Sequence, residues 1–103
     1  MPNRARLDNR RLSETFGFEC EGMKYTATIS RMSDGGIAEV FLNNHKINSM
    51  ADVNARDAAV VCSIALQFGT PLEVIRHALM RDVKGKACGP LGVALDIICG
   101  EVA

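Results

Sequence analysis

The amino-acid sequence predicts an α+β fold, in which a three-stranded antiparallel meander is followed by three helices packed on one face of the sheet. Two observations predict it. Apolar residues alternate with polar ones along three segments between residues 13 and 43, and short glycine-containing turns separate these segments. From residue 52 onwards apolar residues recur every three or four positions, which is the period of a helix. The chain has 103 residues, the length of one domain with a single modest core.

The three strands are predicted from their alternation and from the turns between them. Glu21-Gly22 and the segment from Ser33 to Gly36 are turn sequences, because glycine accepts a positive φ. Short turns between consecutive strands favour an antiparallel meander. The residues expected to face the core are Phe16, Phe18 and Cys20 in the first strand, Tyr25, Ala27 and Ile29 in the second, and Ala38, Val40 and Leu42 in the third.

A long amphipathic helix from Asp52 to Gly69 is predicted to be the centre of the fold. Small side chains allow another backbone to approach closely, so we expect the small-residue face of this helix to lie against the sheet or against a copy of itself. Val60, Val61 and Ile64 extend the apolar surface nearly all round, and a second subunit is expected to cover part of it. The residues of the small-residue face are Ala55, Ala58, Ala59, Cys62, Ala65, Leu66 and Gly69.

Cap residues predict where the first two helices start. Ser49 and Asp52 have the spacing of a capping box, with Asp in place of the usual Glu or Gln. In the second helix, Thr70 is the predicted N-cap, Pro71 the first helical residue and Glu73 the residue that reaches back to the cap.

The second helix is expected to end near Arg81, and a basic loop from Asp82 to Gly89 leads to a last short helix. Pro90 begins that helix and Gly100 stops it. The residues predicted to face the core are Leu72, Ile75, Leu79 and Met80 in the second helix, and Leu91, Ala94, Leu95 and Ile98 in the third.

Composition and charge exclude several classes of function. Twelve basic and twelve acidic side chains leave no basic excess for binding a nucleic-acid duplex, so nucleic acid is not an expected partner. No apolar stretch is long enough to span a membrane and no signal peptide is visible, so we expect a cytoplasmic protein. Residues 1–12 are predicted to be a basic arm that orders only against a partner, and residues 13–103 a single domain.

The four cysteines include no C-x-x-C pair, so four free thiols are expected in a reducing compartment. They are Cys20, Cys62, Cys88 and Cys99. Two alternatives remain open at this stage. Cys88 and Cys99 could join a histidine at a zinc ion, and Cys88 has the setting that lowers a thiol pKa. The interpretation favoured by the sequence has no metal, no cofactor and no catalytic residue.

Two polar segments are predicted to bind a ligand, because each precedes a helix. The first segment precedes the long helix and contains Asn43, Asn44, His45, Lys46 and Asn48. The second precedes the last helix and contains Lys84, Gly85, Lys86 and Gly89. A helix N-terminus offers unpaired N–H groups and a partial positive charge, which suit a phosphate or a carboxylate. The alternative is that both segments are ordinary solvated loops.

Further cations are predicted to complete this site. Arg56 lies on a polar stripe with Asn54 and Asp57, and it could reach an anion held near the first segment. Arg10 or Arg11 could be donated from the basic arm, across a subunit interface. The alternative for the stripe is that it is simply the exposed face of the helix.

Four stretches of the sequence together resemble the TSCPD domain. They are YTATISRMSDGGIAEVFLNNHKINSM, the SIALQFG segment of the long helix, GTPLEVIRHAL and GPLGVALDII. This domain occurs on the carboxyl-terminal side of cobalamin-dependent ribonucleotide reductases and as short stand-alone bacterial proteins. The resemblance covers Arg10 to Ile98, and RRLSETF is similar to the start of the stand-alone members. The Thr-Ser-Cys-Pro-Asp signature is absent, and the corresponding region reads KACGPLGVALD.

The resemblance implies a relative of a reductase accessory domain, without the barrel, radical cofactor and redox cysteines that reductase activity requires. We therefore expect a small, non-enzymatic homo-oligomer of phage or bacteria that binds, or sequesters, a nucleotide or similar phosphorylated ligand. The alternative is a regulatory subunit that docks on a ribonucleotide reductase or another nucleotide-metabolising enzyme through its apolar small-residue face. A small enzyme that uses His45 or Cys88 is a third hypothesis.

Overall fold

The computed structural model describes residues 13–100. The predicted α+β fold is confirmed, with three antiparallel strands in chain order in one sheet and then three helices. The basic arm predicted for residues 1–12, with Arg10 and Arg11, lies outside the described residues, so it stays a prediction. The elements are β1 (Ser13–Cys20), β2 (Met23–Arg31), β3 (Ile37–Asn44), α1 (Met50–Gln67), α2 (Leu72–Ala78) and α3 (Pro90–Ile98).

One face of the sheet carries the core, as the alternation predicts. The core residues of the three strands pack with α1 and α3 in a single cluster. Phe18 and Tyr25 stack at this face with ring centroids 5.4 Å apart. The first turn is a two-residue hairpin, since Glu21 and Gly22 both have a positive φ. The buried strand residues in the cluster are Cys20, Tyr25, Ala27, Ile29, Val40 and Leu42.

Helix α1 lies along β3, which pairs only with β2 among the described residues and is therefore an edge strand. The Ser63 hydroxyl accepts a hydrogen bond from the Val40 N–H at 2.9 Å and donates one to the Val40 carbonyl at 3.0 Å. Gln67 Nε2 donates to the Ala38 carbonyl at 3.1 Å. Both helix side chains are buried. Side chains of α1 thus take the place of a fourth strand at this edge.

Asp52 continues the same pattern at the end of β3. Its Oδ1 accepts the Asn44 N–H at 2.9 Å and its Oδ2 accepts the Asn48 N–H at 3.1 Å. The capping box is confirmed in one half, because the Ser49 hydroxyl accepts the Asp52 N–H at 3.1 Å. The second contact of the predicted box, from the Asp52 carboxylate back to the Ser49 N–H, is wrong. The Ser49 N–H donates to the Lys46 carbonyl instead, which leaves the Asp52 carboxylate for the strand and the loop.

Part of the small-residue face of α1 packs against the sheet within one chain, which is one of the two options that the sequence left open. Ala55, Ala59 and Cys62 are almost fully buried in the core cluster. Val60 and Val61 on the outer side are 52% and 68% exposed, so one chain does not cover the apolar surface all round. A covering subunit stays a prediction.

The predicted start of α2 is wrong by one residue. The Pro71 carbonyl accepts the Val74 N–H at 3.0 Å, so Pro71 is the N-cap, and no side chain caps the helix. The Thr70 N–H donates to the Ala65 carbonyl and belongs to the end of α1. The Glu73 carboxylate does not reach back to the cap, because it binds side chains further along the helix.

The predicted end of α2 is also wrong. The helix stops at Ala78, and Met80, expected to be buried, is 77% exposed. The physical reason is that the next residues pair with the loop before α3. The Cys88 N–H donates to the Met80 carbonyl at 3.0 Å, and Arg81 forms an isolated bridge with Ala87. Strand-like pairing at this point ends the helix.

Two arginines converge on Asp96 and connect α2, the following loop and α3. Arg76 is buried, and its Nε donates to Asp96 Oδ1 at 2.8 Å. Arg81 donates to both oxygens of the same carboxylate at 2.8 and 2.9 Å. Arg81, helped by Arg76 and opposed by burial, lowers the pKa of Asp96 to about 2.

None of the helices in residues 13–100 is long and apolar enough to cross a membrane.

Replacing Ser63 by alanine is expected to destabilise the protein by roughly 1 to 3 kcal/mol, because the N–H and carbonyl of Val40 would be left buried without their partner. Urea denaturation followed by circular dichroism measures this change. The matched control is Ser33→Ala in an exposed turn, which should leave the unfolding midpoint in place. Equal midpoints for both variants would show that the edge contact contributes nothing.

Acid is expected to weaken the Asp96 cluster. The folded-state pKa of about 2 lies below the ordinary value of 3.8, so the contribution is complete above the ordinary value and is lost as pH falls towards 2. The stability difference between the wild type and Asp96→Asn should therefore shrink by roughly 1 to 2 kcal/mol over this window. Denaturation at several pH values tests it, with the exposed Asp57→Asn as control. A difference that does not depend on pH would contradict the assignment.

Candidate functional site

Two loops, each organised by an aspartate, carry or adjoin five of the predicted ligand-binding residues: Asn44, His45, Lys46, Lys84 and Lys86. Asn44 is the last residue of β3 and is buried, so it does not face solvent. Its Oδ1 accepts the Lys46 N–H at 2.7 Å, and its Nδ2 donates to Met23 Sδ at 3.5 Å. The side chain of Asn44 therefore holds the loop together.

His45 and Lys46 are exposed at the end of β3. Nε2 of His45 lies 3.0 Å from the Thr26 hydroxyl on the neighbouring strand. Neither residue forms an ion pair with any residue from 13 to 100. His45 is placed by a neutral hydroxyl, an arrangement that suits a hydrogen-bonding contact.

Arg56 is anchored at one atom. Its Nε donates to Asp52 Oδ2 at 3.0 Å, while about half of its side chain is exposed. The N–H groups of Asn44 and Asn48, with a smaller contribution from Arg56, hold the pKa of Asp52 below its ordinary value. The carboxylate is therefore ionised at neutral pH and positions the guanidinium.

Arg56 borders an open groove of about 390 Å³, here named the β3-edge groove. Phe41 on the outward face of β3 is 45% exposed, and Asn43 follows it on the same face. The groove thus combines a cation, an amide and an aromatic ring. Its lining residues are Thr28, Phe41, Leu42, Asn43, Arg56, Ala59 and Val60.

Sequence analysis found Arg56 and included Asn43 in the first polar segment, but it missed Phe41. The sequence does contain a sign of it. Phe41 falls on the outward face of the predicted strand, next to Asn43 and Asn44, so its ring is expected to lie at the surface instead of in the core. The other members of the polar stripe, Asn54 and Asp57, are exposed and do not line this groove.

The second loop, with Lys84 and Lys86, lies beside the end of β1. Asp82 Oδ1 accepts the N–H groups of both lysines, at 2.9 and 3.0 Å, and both residues are exposed. The thiol of Cys20, the last residue of β1, donates to the Cys88 carbonyl at 3.5 Å, which joins this loop to β1. Within one chain the two lysines and Arg56 are therefore at opposite edges of the sheet.

The four cysteines are free thiols. Burial raises the pKa of Cys62 to about 11, and it also raises the pKa values of Cys20 and Cys99. These three thiols are protonated at neutral pH and are poor nucleophiles. Across residues 13–100, no group of three or more His, Cys, Asp or Glu side chains is arranged to hold a metal ion.

Comparison with known proteins gives one informative likeness. A segment of 70 residues is 33% identical to part of the vitamin B12-dependent ribonucleotide reductase of Agrobacterium fabrum. The match covers 68% of this chain and 6% of the reductase, so the chain spans a small part of the relative that it matches. No family model matches the chain. No solved structure matches it either. The chain is therefore similar to a short stretch of ribonucleotide reductase sequence.

Proposed function

We propose that this chain is a non-catalytic binding module, akin to a TSCPD-type accessory segment of ribonucleotide reductases, which binds a nucleotide or similar phosphorylated ligand in the β3-edge groove. The observation that carries the proposal is the position of Arg56. Its Nε is held by Asp52, and its two terminal nitrogens make no hydrogen bond to a described residue. A guanidinium fixed at one end in this way is preorganised for a phosphate.

Phe41 and Asn43 supply what the rest of a nucleotide would need. A nucleobase can stack on a half-exposed aromatic ring, and such stacking contributes about 1 to 3 kcal/mol per base. The Asn43 amide carries both donors and an acceptor for the edge of a base. Stacking and amide contacts at one side of the guanidinium favour a nucleotide over inorganic phosphate.

The remaining predicted cations extend the proposal to an oligomer. His45 and Lys46 follow the strand that carries Phe41, so Lys46 can add to the positive field of the groove and His45 can add a hydrogen bond. Lys84 and Lys86 lie at the far edge of the sheet and can contribute only from a second chain. Arg10 and Arg11 are assigned the same role across an interface. A homo-oligomer that holds a nucleotide signal without converting it, and so sequesters it, fits this arrangement.

Arg56→Gln is expected to weaken nucleotide binding at least about tenfold, because a charge-assisted contact to phosphate is lost. Thermal shift with mono-, di- and cyclic dinucleotides finds the ligand, since a ligand at 100 times its Kd adds about 2.7 kcal/mol of stability. Titration calorimetry then measures Kd for the variant.

Arg31→Gln is the matched control, because it removes one cation that lies at the end of β2 and does not line the groove. A wild-type protein that shows no shift with any nucleotide would refute the proposal. Equal weakening by both substitutions would point to a general charge effect, and so would refute the assignment to this groove.

A second candidate function, docking on a partner protein, is favoured by a groove of about 540 Å³ between α1 and α2, here named the α1–α2 groove. Its lining is apolar except at Asp57, and Val61 and Val74 at its rim are 68% and 58% exposed. Exposed apolar surface of this kind marks protein interfaces. The partner proposed is a second copy of this chain, with a nucleotide-metabolising enzyme as the alternative. The small-residue face contributes Ala58, Cys62 and Ala65 to this groove, while Ala55 and Ala59 pack inside the chain.

Val61→Glu is expected to convert the proposed oligomer to a monomer, because a carboxylate would be buried at the interface without a counter-charge. Native mass spectrometry of the full chain measures the subunit number. Val83→Glu is the matched control, since Val83 is fully exposed in the loop before α3. A wild-type monomer, or an oligomer that survives Val61→Glu, would exclude self-association through this groove.

A further inference from the structure

A cavity of about 370 Å³ lies between the N-terminal parts of α1 and α3, and Tyr25 forms one of its walls. We name it the Tyr25 cavity. Its volume falls within the range of small-molecule pockets. It is separate from the β3-edge groove, since the two share no lining residue. The inference drawn from it is therefore independent of the proposed nucleotide site.

The hydroxyl of Tyr25 has no hydrogen-bond partner among the described residues, although the residue is only 3% exposed. Every fully buried polar side-chain atom in the described part of the chain does have a partner. The hydroxyl therefore keeps some access to open space, and the cavity is open space that Tyr25 lines. A donor that is unpaired inside an apolar pocket costs free energy unless a ligand or water satisfies it.

The N-terminus of α3 opens onto the same cavity. Gly89, Leu91 and Gly92 line it, and no side chain caps this helix. The first hydrogen bond of α3 runs from the Val93 N–H to the Gly89 carbonyl, so the N–H groups of Leu91 and Gly92 precede the helical ladder. Such N–H groups, with the partial positive charge of the helix, favour an anion or a carbonyl oxygen.

The rest of the cavity is apolar. Ala55, Leu79 and Met80 are among its walls, the Asn54 amide is a further polar group, and no charged side chain lines it. A polyphosphate would enter without a counter-charge, which such a site disfavours. An apolar body that ends in a single acceptor group matches both the walls and the two kinds of donor.

From these observations we infer that the Tyr25 cavity binds a small monocarboxylate with an apolar or aromatic body. The apolar part lies against α1 and the Leu79-Met80 segment. The carboxylate accepts hydrogen bonds from the Tyr25 hydroxyl and from the N–H groups of Leu91 and Gly92. The chain thus has two ligand sites of different chemistry.

Phenylacetate is the probe, and its binding to the full-length ¹⁵N-labelled protein is followed by two-dimensional NMR. The Leu91 and Gly92 amide resonances are expected to shift, with a Kd of roughly 1 mM or tighter. Tyr25→Phe should weaken binding about tenfold by removing one donor to the carboxylate. Ala51→Phe should block binding, because Ala51 lines the cavity and the larger ring fills it. The uncharged 2-phenylethanol should bind at least about tenfold more weakly.

Arg56→Gln is the matched control and should leave phenylacetate binding unchanged, whatever happens at the nucleotide site. The NMR spectrum of each variant shows directly whether it is folded. Leu91 and Gly92 resonances that stay fixed in wild-type protein at about 20 mM phenylacetate would overturn the inference. Shifts that survive both Tyr25→Phe and Ala51→Phe would overturn it as well.

Discussion

The hydrogen bonds from α1 to the free edge of β3 are the constraint on which the rest of the structure depends. An edge strand presents a row of unpaired backbone groups, and buried groups of this kind are costly unless they find partners. Asp52, Ser63 and Gln67 supply those partners from one side of the helix. For short side chains such as serine to reach a strand, the helix axis must lie very close to it. This requirement explains why Ala55 and Ala59 face the sheet, since larger side chains there would push the helix away from β3.

The same constraint connects the fold to the proposed nucleotide site. The Asp52 carboxylate receives the N–H groups of Asn44 and Asn48, and the oxygen bound to Asn48 also holds Arg56. One side chain thus ends the strand, shapes the loop and orients the guanidinium. A phosphate bound to the terminal nitrogens of Arg56 would share this guanidinium with Asp52, so ligand affinity and the order of the loop are coupled. The position of Arg56 is a property of the strand edge as much as of the helix that carries it.

Local signals predicted most of the fold. Alternation and turn glycines located three strands, and helical periodicity located α1 and α3, because these patterns depend on neighbours within a few residues. Sequence analysis did not predict the contacts between residues that are distant along the chain. Ser63 reads as a polar interruption of an apolar helix, and only the register between α1 and β3 shows that it serves the strand 23 residues earlier. Arg76 is similar, since its burial depends on an aspartate 20 residues later. The early end of α2 followed from pairing with a loop whose position sequence could not give.

Sequence analysis predicted individual residues of the candidate site but not how the fold arranges them in space. Each of the segments that precede α1 and α3 was expected to offer a place for a phosphate or a carboxylate. In the structure α1 packs along β3, whereas the loop before α3 contacts the end of β1 through Cys20 and Cys88. The two loops are therefore attached to different edge strands of the sheet. The N-terminal parts of the two helices nevertheless border one space, and that space is the apolar Tyr25 cavity. Helix N-termini do converge on a ligand-sized site here, but the surrounding side chains select a different class of ligand from the one that the basic loops suggested.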